Sequence, residues 1–191
     1  HTQAQYYAVD AATTGTITSR LSRVLSITDQ SLKAGKSLAI PINLSDASGL
    51  QSLDLTITYD PKIFTLPTNG NVITSGSLTV GNAAFVVNTS QAGRLKISWS
   101  GTTSLNAGQG SMATLNLQAK ANAAPGVTRI DLVSASLNEG GIAASLDDGD
   151  LTILSPSFQV LGVRELPNGL ALKLSDAPDL DQFNLYDGQD A

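Results

Sequence analysis

The side chains of this chain that could do chemistry are carboxylates and amides. Asp147, Asp148 and Asp150 are near neighbours in sequence, and Asn138-Glu139 lies shortly before them. Oxygen ligands grouped in this way suit a hard cation such as calcium. The same residues also read as turn chemistry, because Asp148-Gly149 is a preferred hairpin pair: Gly supplies a positive φ and Asp bonds the local backbone. Calcium is the one ion that the pattern would admit, and no cofactor is otherwise expected. Two carboxylates can hydrolyse a glycosidic bond only at a fixed separation inside a cleft. The 16 acidic residues give no such cleft signal. The one His is residue 1 and there is no Cys. Ser-His-Asp triads, Cys nucleophiles, Cys/His zinc sites and disulfides are thereby excluded. Gly108-Gln109-Gly110 and Gly140-Gly141 lack a following Lys-Ser/Thr and a helix, so they read as turns and not as phosphate loops. No catalytic, cofactor-binding or metal-ligating residue is assigned, and the chain is not expected to be an enzyme.

Strands must carry whatever surface does the work. Leu38, Ile40, Ile42 and Leu44 share one face of a run with period two, as do Leu53, Leu55, Ile57 and Tyr59. Leu95, Ile97 and Trp99 alternate with Lys96 and Ser98, and Ala113, Leu115, Leu117 and Ala119 alternate with Thr114, Asn116 and Gln118. Strict alternation means one buried and one wet face. Turn signals such as Asp60-Pro61, Gly81-Asn82, Pro125-Gly126 and Asp148-Gly149 separate these runs at short spacing. The expectation is an all-β, antiparallel jelly-roll sandwich of about nine strands, with extra strands at the C-terminus. Trp99 and Tyr59 are in phase with aliphatic residues, so both are expected in the core. Pro41 has no N–H to donate, so its strand should be an edge or carry a bulge there. Before the sandwich, Ile17, Leu21, Val24 and Leu25 fit helical spacing. After it come runs at Phe158 to Leu166, Gly169 to Ser175 and Gln182 to Tyr186, the first two joined by a turn at Pro167-Asn168-Gly169.

Only 14% of the 191 residues are charged, against about 25% in an average protein, so uncharged polar groups must cover the surface. With 11 Lys plus Arg against 16 Asp plus Glu the net charge is −5. That balance disfavours nucleic acid and anionic membrane as partners, and no apolar run is long enough to span a bilayer. Residue 1 is His and no signal peptide is visible, as in a mature exported protein or an excised fragment. The Thr-, Ser-, Asn- and Gly-rich composition suits an extracellular or cell-surface location.

Several motifs in order resemble the cohesin family. Ser37 to Leu44 matches its opening strand, and Gly49 to Pro61 matches the strand that ends in Tyr-Asp-Pro, here Tyr59-Asp60-Pro61. Gly93 to Ser98, Gly110 to Lys120, the turn Pro125-Gly126 and the closing strand Asp148 to Ile153 follow in the family's order. The resemblance covers about residues 24–154 and is nearest to the cohesin-like modules of large bacterial surface proteins. It implies a jelly-roll sandwich that binds protein. Residues 1–25 can be set beside a degenerate half of the partner family, dockerin. Asp10, Gly15 and Ile17 hold framework positions of a calcium loop, while Ala12, Thr14 and Leu21 stand where ligands belong. Residues 155–191 resemble the first strands of an Ig-like domain, through Gly162-Val163, Asn168-Gly169-Leu170 and Phe183 to Asp187.

The division expected is thus a tail or dockerin-like segment at 1–25, a cohesin-like sandwich at 26–154 and a partial Ig-like segment at 155–191. The function expected is a non-catalytic, extracellular interaction or structural module. It would bind a protein partner, or copies of itself, through sheet faces or strand edges, with filaments as one outcome. The alternative is a carbohydrate-binding accessory module of an exported enzyme, which predicts a row of exposed aromatic rings.

Overall fold

Alternating aliphatic and polar residues make a strand stable only when a second apolar face closes over it. Here two six-stranded sheets close over each other. The computed structural model describes residues 22–82, 84–155, 160–167 and 169–174. In chain order the strands are β1 (Arg23–Ile27), β2 (Gln30–Lys33), β3 (Ser37–Leu44), β4 (Ser52–Thr58), β5 (Phe64–Thr65), β6 (Ile73–Ser75) and β7 (Val86–Gln91). There follow β8 (Arg94–Ser100), β9 (Gly110–Ala119), β10 (Gly126–Leu137), β11 (Ala144–Asp147), β12 (Gly149–Leu154), β13 (Val160–Leu166) and β14 (Gly169–Leu174). The first sheet has the order β11-β1-β3-β9, with β5 and β6 both on the far side of β9. The second has the order β2-β12-β10-β4-β8-β7. β13 and β14 form a separate antiparallel hairpin in which Leu166 pairs with Gly169.

The core is built from the residues whose phase put them inward. Ile40, Ile42, Leu55, Ile57, Leu95, Ile97, Leu115 and Leu117 are buried, as are Trp99 and Tyr59. Each aliphatic side chain taken fully out of water contributes about 1.5–3 kcal/mol. Most pairings are antiparallel, but β1 with β11 and β2 with β12 run parallel. The reason is a change of sheet: β1 ends at Ile27 beside β3, and from Gln30 the chain continues as β2 beside β12 in the other sheet. Gly149, at the start of β12, packs its α-carbon against Ile27 at this crossing, where a Cβ would meet the Ile27 side chain.

One expectation changes and one is met. Val24 and Leu25 lie in strand β1 and not in a helix, and Leu25 is fully buried. Pairing with Leu44 of β3 and Leu146 of β11 gives Leu25 a burial that a short isolated helix could not supply. It also means that Leu25 needs no partner from outside the sandwich, and that β1 runs across the boundary expected at residue 25. Ile17, Leu21 and the whole dockerin-like segment lie outside the described residues, as does Gln182 to Tyr186. Pro41, in turn, sits in an interior strand. The β1 ladder stops at Ile27 opposite Ile42, so Pro41 is paired with β9 alone, and the β3–β9 register shifts between Ile42 and Asn43. The missing N–H is thus accommodated at a local edge.

Candidate functional site

The second sheet turns outward the residues between its core positions. Along β4 these are Asp54, Thr56 and Thr58, and along β8 Lys96 and Ser98, in register as the pairs Asp54–Ser98 and Thr56–Lys96. Along β10 they are Ser134 and Ser136, opposite Thr56 and Asp54. The Ser98 hydroxyl donates to Asp54 Oδ1 at 2.5 Å. Small polar side chains keep the centre of this face flat, with a shallow depression lined by Asp54, Thr56, Lys96, Ser98, Ser134 and Ser136. A β-bulge in β10, between Leu132 and Ser134, leaves Val133 about half exposed at 49%. Val86 of β7, opposite Ser98, is 73% exposed, and Val127 of β10, opposite Thr152, is 68% exposed. Leu154 of β12 is 42% exposed. Val86 and Val133 therefore stand in water beside a flat polar centre, while Val127 and Leu154 lie further along the same face, beyond Arg129 and Asp131.

At one end of this face lies the acidic group singled out in the sequence. Its organising residue is Arg129, which sequence reasoning missed. The guanidinium lies 3.8 Å from Asp148, 3.5 Å from Asp150 and 3.9 Å from Asp131. Asp148 Oδ1 accepts the Leu132 N–H at 2.7 Å, and the Asp150 N–H donates to Asp29 Oδ1 at 2.8 Å. A cation is thus already supplied by the chain, and the carboxylates serve the β10–β12 connection. Among the described residues no three acidic or His side chains are grouped to hold a metal ion. Alternation along β10 and β12 was the signal for this: Arg129 and Asp150 are cross-strand partners. Asn138-Glu139 is at the other end of β10, in a tight left-handed turn with φ of 48° and 56°. The Asn138 amide is a latch. Its Oδ1 accepts the N–H groups of Gln51 and Ser52, and its Nδ2 donates to the Gly49 carbonyl.

Aromatic rings do not form a platform on the described surface. Tyr59, Phe64 and Trp99 are buried, and Phe85 is half-buried with its ring centre 6.3 Å from that of Trp99. Tyr6 and Tyr7 lie outside the described residues. No helix among the described residues is long and apolar enough to cross a membrane.

Comparison with known proteins gives the same picture. Among solved structures, a cohesin from Clostridium thermocellum in complex with a dockerin superposes with a TM-score of 0.60 at 18% identity, over 70% of this chain and 99% of that one. The sixth cohesin of scaffoldin B from Acetivibrio cellulolyticus, in complex with a Cel5 dockerin mutant, gives 0.59 at 21% identity, over 70% and 99%. A non-cellulosomal cohesin from the archaeon Archaeoglobus fulgidus gives 0.57 at 14% identity, over 70% and 92%. A search of curated proteins finds no match. The cohesin domain family model matches residues 24–160, and the chain belongs to the cohesin family.

Proposed function

We propose that this chain is a non-catalytic docking module that acts outside the cell or at its surface and binds a dockerin-type partner on the outer face of the second sheet. The observation that carries this reading is the flat centre of Thr56, Ser98, Ser134 and Ser136, flanked by the exposed Val86 opposite Ser98 and Val133 beside Ser134. Val86 and Val133 give a partner two apolar points of contact at the margins of this centre. The small polar centre lets a partner helix or sheet approach closely, and Lys96 with Asp54 provides charges that set its orientation. Family membership supports the choice of partner, since the relatives from Clostridium thermocellum and Acetivibrio cellulolyticus are complexes with dockerins.

The test is calorimetric titration with the dockerin modules of the source organism. Thr56→Arg, in the middle of the face, should weaken binding by about 100-fold, as for a blocked interface centre. Thr114→Arg, on the opposite sheet, should leave it unchanged. Absence of binding to every dockerin, or equal loss in both variants, refutes the assignment. Association between copies is the second part of the proposal, through β7, an uncharged edge strand paired only with β8. Light scattering reads it directly: oligomers that grow with concentration support it, and a monomer at every concentration removes it.

A further inference from the structure

The first sheet carries a groove that the docking reading does not use. Its floor is the outer face of β3 and β9, where Ser37 pairs with Gln118 and Ala39 with Asn116. Its wall is made by the segment between β5 and β6, which leaves β9 after Thr65 and returns at Ile73. Pro67 and Asn71 on that segment line the groove, whose volume is about 530 Å³. The wall is tied to the floor: Asn116 Nδ2 donates to the Asn71 carbonyl at 2.9 Å, and the Asn116 N–H donates to the Val72 carbonyl at 2.9 Å.

We propose that this groove binds a neutral, hydroxyl-rich glycan chain. Four observations select that ligand class. First, all the residues that line the groove are uncharged, so an ionic ligand finds no counter-charge, and the net charge of −5 disfavours an anionic polymer further. Second, the lining presents the amides of Asn71, Asn116 and Gln118 with the hydroxyl of Ser37. A side-chain amide offers a donor and an acceptor side by side, which matches the paired donor and acceptor character of vicinal hydroxyls. Third, β3 and β9 already pair with each other along the floor. The backbone groups shared by these two strands are thus taken, and the edge left on Ser37–Pro41 beyond the end of β1 faces away from β9, so recognition on the floor falls to side chains. Fourth, the Pro67 ring gives one apolar surface for the C–H face of a sugar ring. Without an aromatic platform each contact is weak, so the ligand is a polymer that gains by repeated engagement. The groove and the docking face are on opposite sheets, and both can be occupied at once.

Affinity electrophoresis of the whole chain through gels containing dextran, galactomannan or a mixed-linkage β-glucan tests this, with alginate as the charged control. At least one neutral polymer should retard the protein, and alginate should not. Gln118→Ala removes an exposed groove amide that does not tie the wall and should weaken retardation about ten-fold, the loss expected for one or two hydrogen bonds. Ala39→Arg fills the floor from an exposed position of β3, leaves the core intact and should abolish retardation. Free migration in all three neutral gels overturns the proposal. So does retardation that Ala39→Arg leaves unchanged, or retardation by alginate as strong as by the neutral polymers.

Discussion

Replacement of Asn138 separates two contributions that the structure places in one residue. Its side chain makes three hydrogen bonds to the segment that leads into β4: Gln51 N–H at 2.8 Å, Ser52 N–H at 3.0 Å and Gly49 carbonyl at 2.9 Å. Its backbone is left-handed, with φ of 48°, a region that Asn tolerates and Ala does not. A net hydrogen bond contributes about 0.5–1.5 kcal/mol, and water recovers part of the loss at a partly exposed site. Loss of all three should therefore cost about 2 kcal/mol. The left-handed backbone adds about 1 kcal/mol for Ala and nothing for Gly. The expected order of destabilisation is Asn138→Ala at about 3 kcal/mol, Asn138→Gly at about 2, and Asn138→Asp at about 1, because Asp keeps both accepted bonds and loses only the donor. For a domain of this size each kcal/mol lowers Tm by about 2–4 °C. Urea unfolding followed by the fluorescence of Trp99, the only Trp and 2% exposed, measures all three. If Asn138→Ala fell within about 0.5 kcal/mol of the parent, or if Gly and Ala cost the same, the account of this latch would be wrong.

A Cβ at Gly149 would lie 2.9 Å from Ile27 Cβ and closer still to Ile27 Cγ2. Gly149→Ala should thus destabilise by about 1–3 kcal/mol, and by clearly less in an Ile27→Ala background; additive costs in the double variant would show that the two residues do not meet. Asp46 responds to pH. The backbone N–H of Ser48 chiefly, then that of Gly108 and the charge of Arg23, hold its carboxyl below the usual range against an opposing effect of burial. A carboxyl depressed in the folded state contributes stability at neutral pH that is lost as pH falls through its folded pKa. Acid unfolding of Asp46→Asn should accordingly be less steep below the ordinary carboxylate range, and identical acid limbs would refute the assignment.

Much of this protein could be read from its residues because a sandwich core is a matter of phase. Alternation at Leu53 to Tyr59 and at Leu95 to Trp99 places the same residues inside in the sequence and in the structure, since a strand has only two faces and one must be dry. The order of the Tyr59-Asp60-Pro61 and Asp148-Gly149 motifs identified the family for the same reason: turns must fall where strands end. Long-range pairing was not legible. Leu25 fits a helical spacing and a strand equally well over so short a window, and its partners Leu44 and Leu146 settled the matter. The acidic group read mainly as a turn with a calcium site as the other reading, and neither included Arg129, because only the β10–β12 register brings it beside Asp148 and Asp150. The surfaces themselves are tertiary facts. Thr56, Val86, Ser98 and Val133 are scattered over the chain, and so are Ser37, Asn71 and Asn116. What gathers each set is the order of strands within its sheet, which depends on contacts between residues far apart in sequence and on no local preference of the residues themselves.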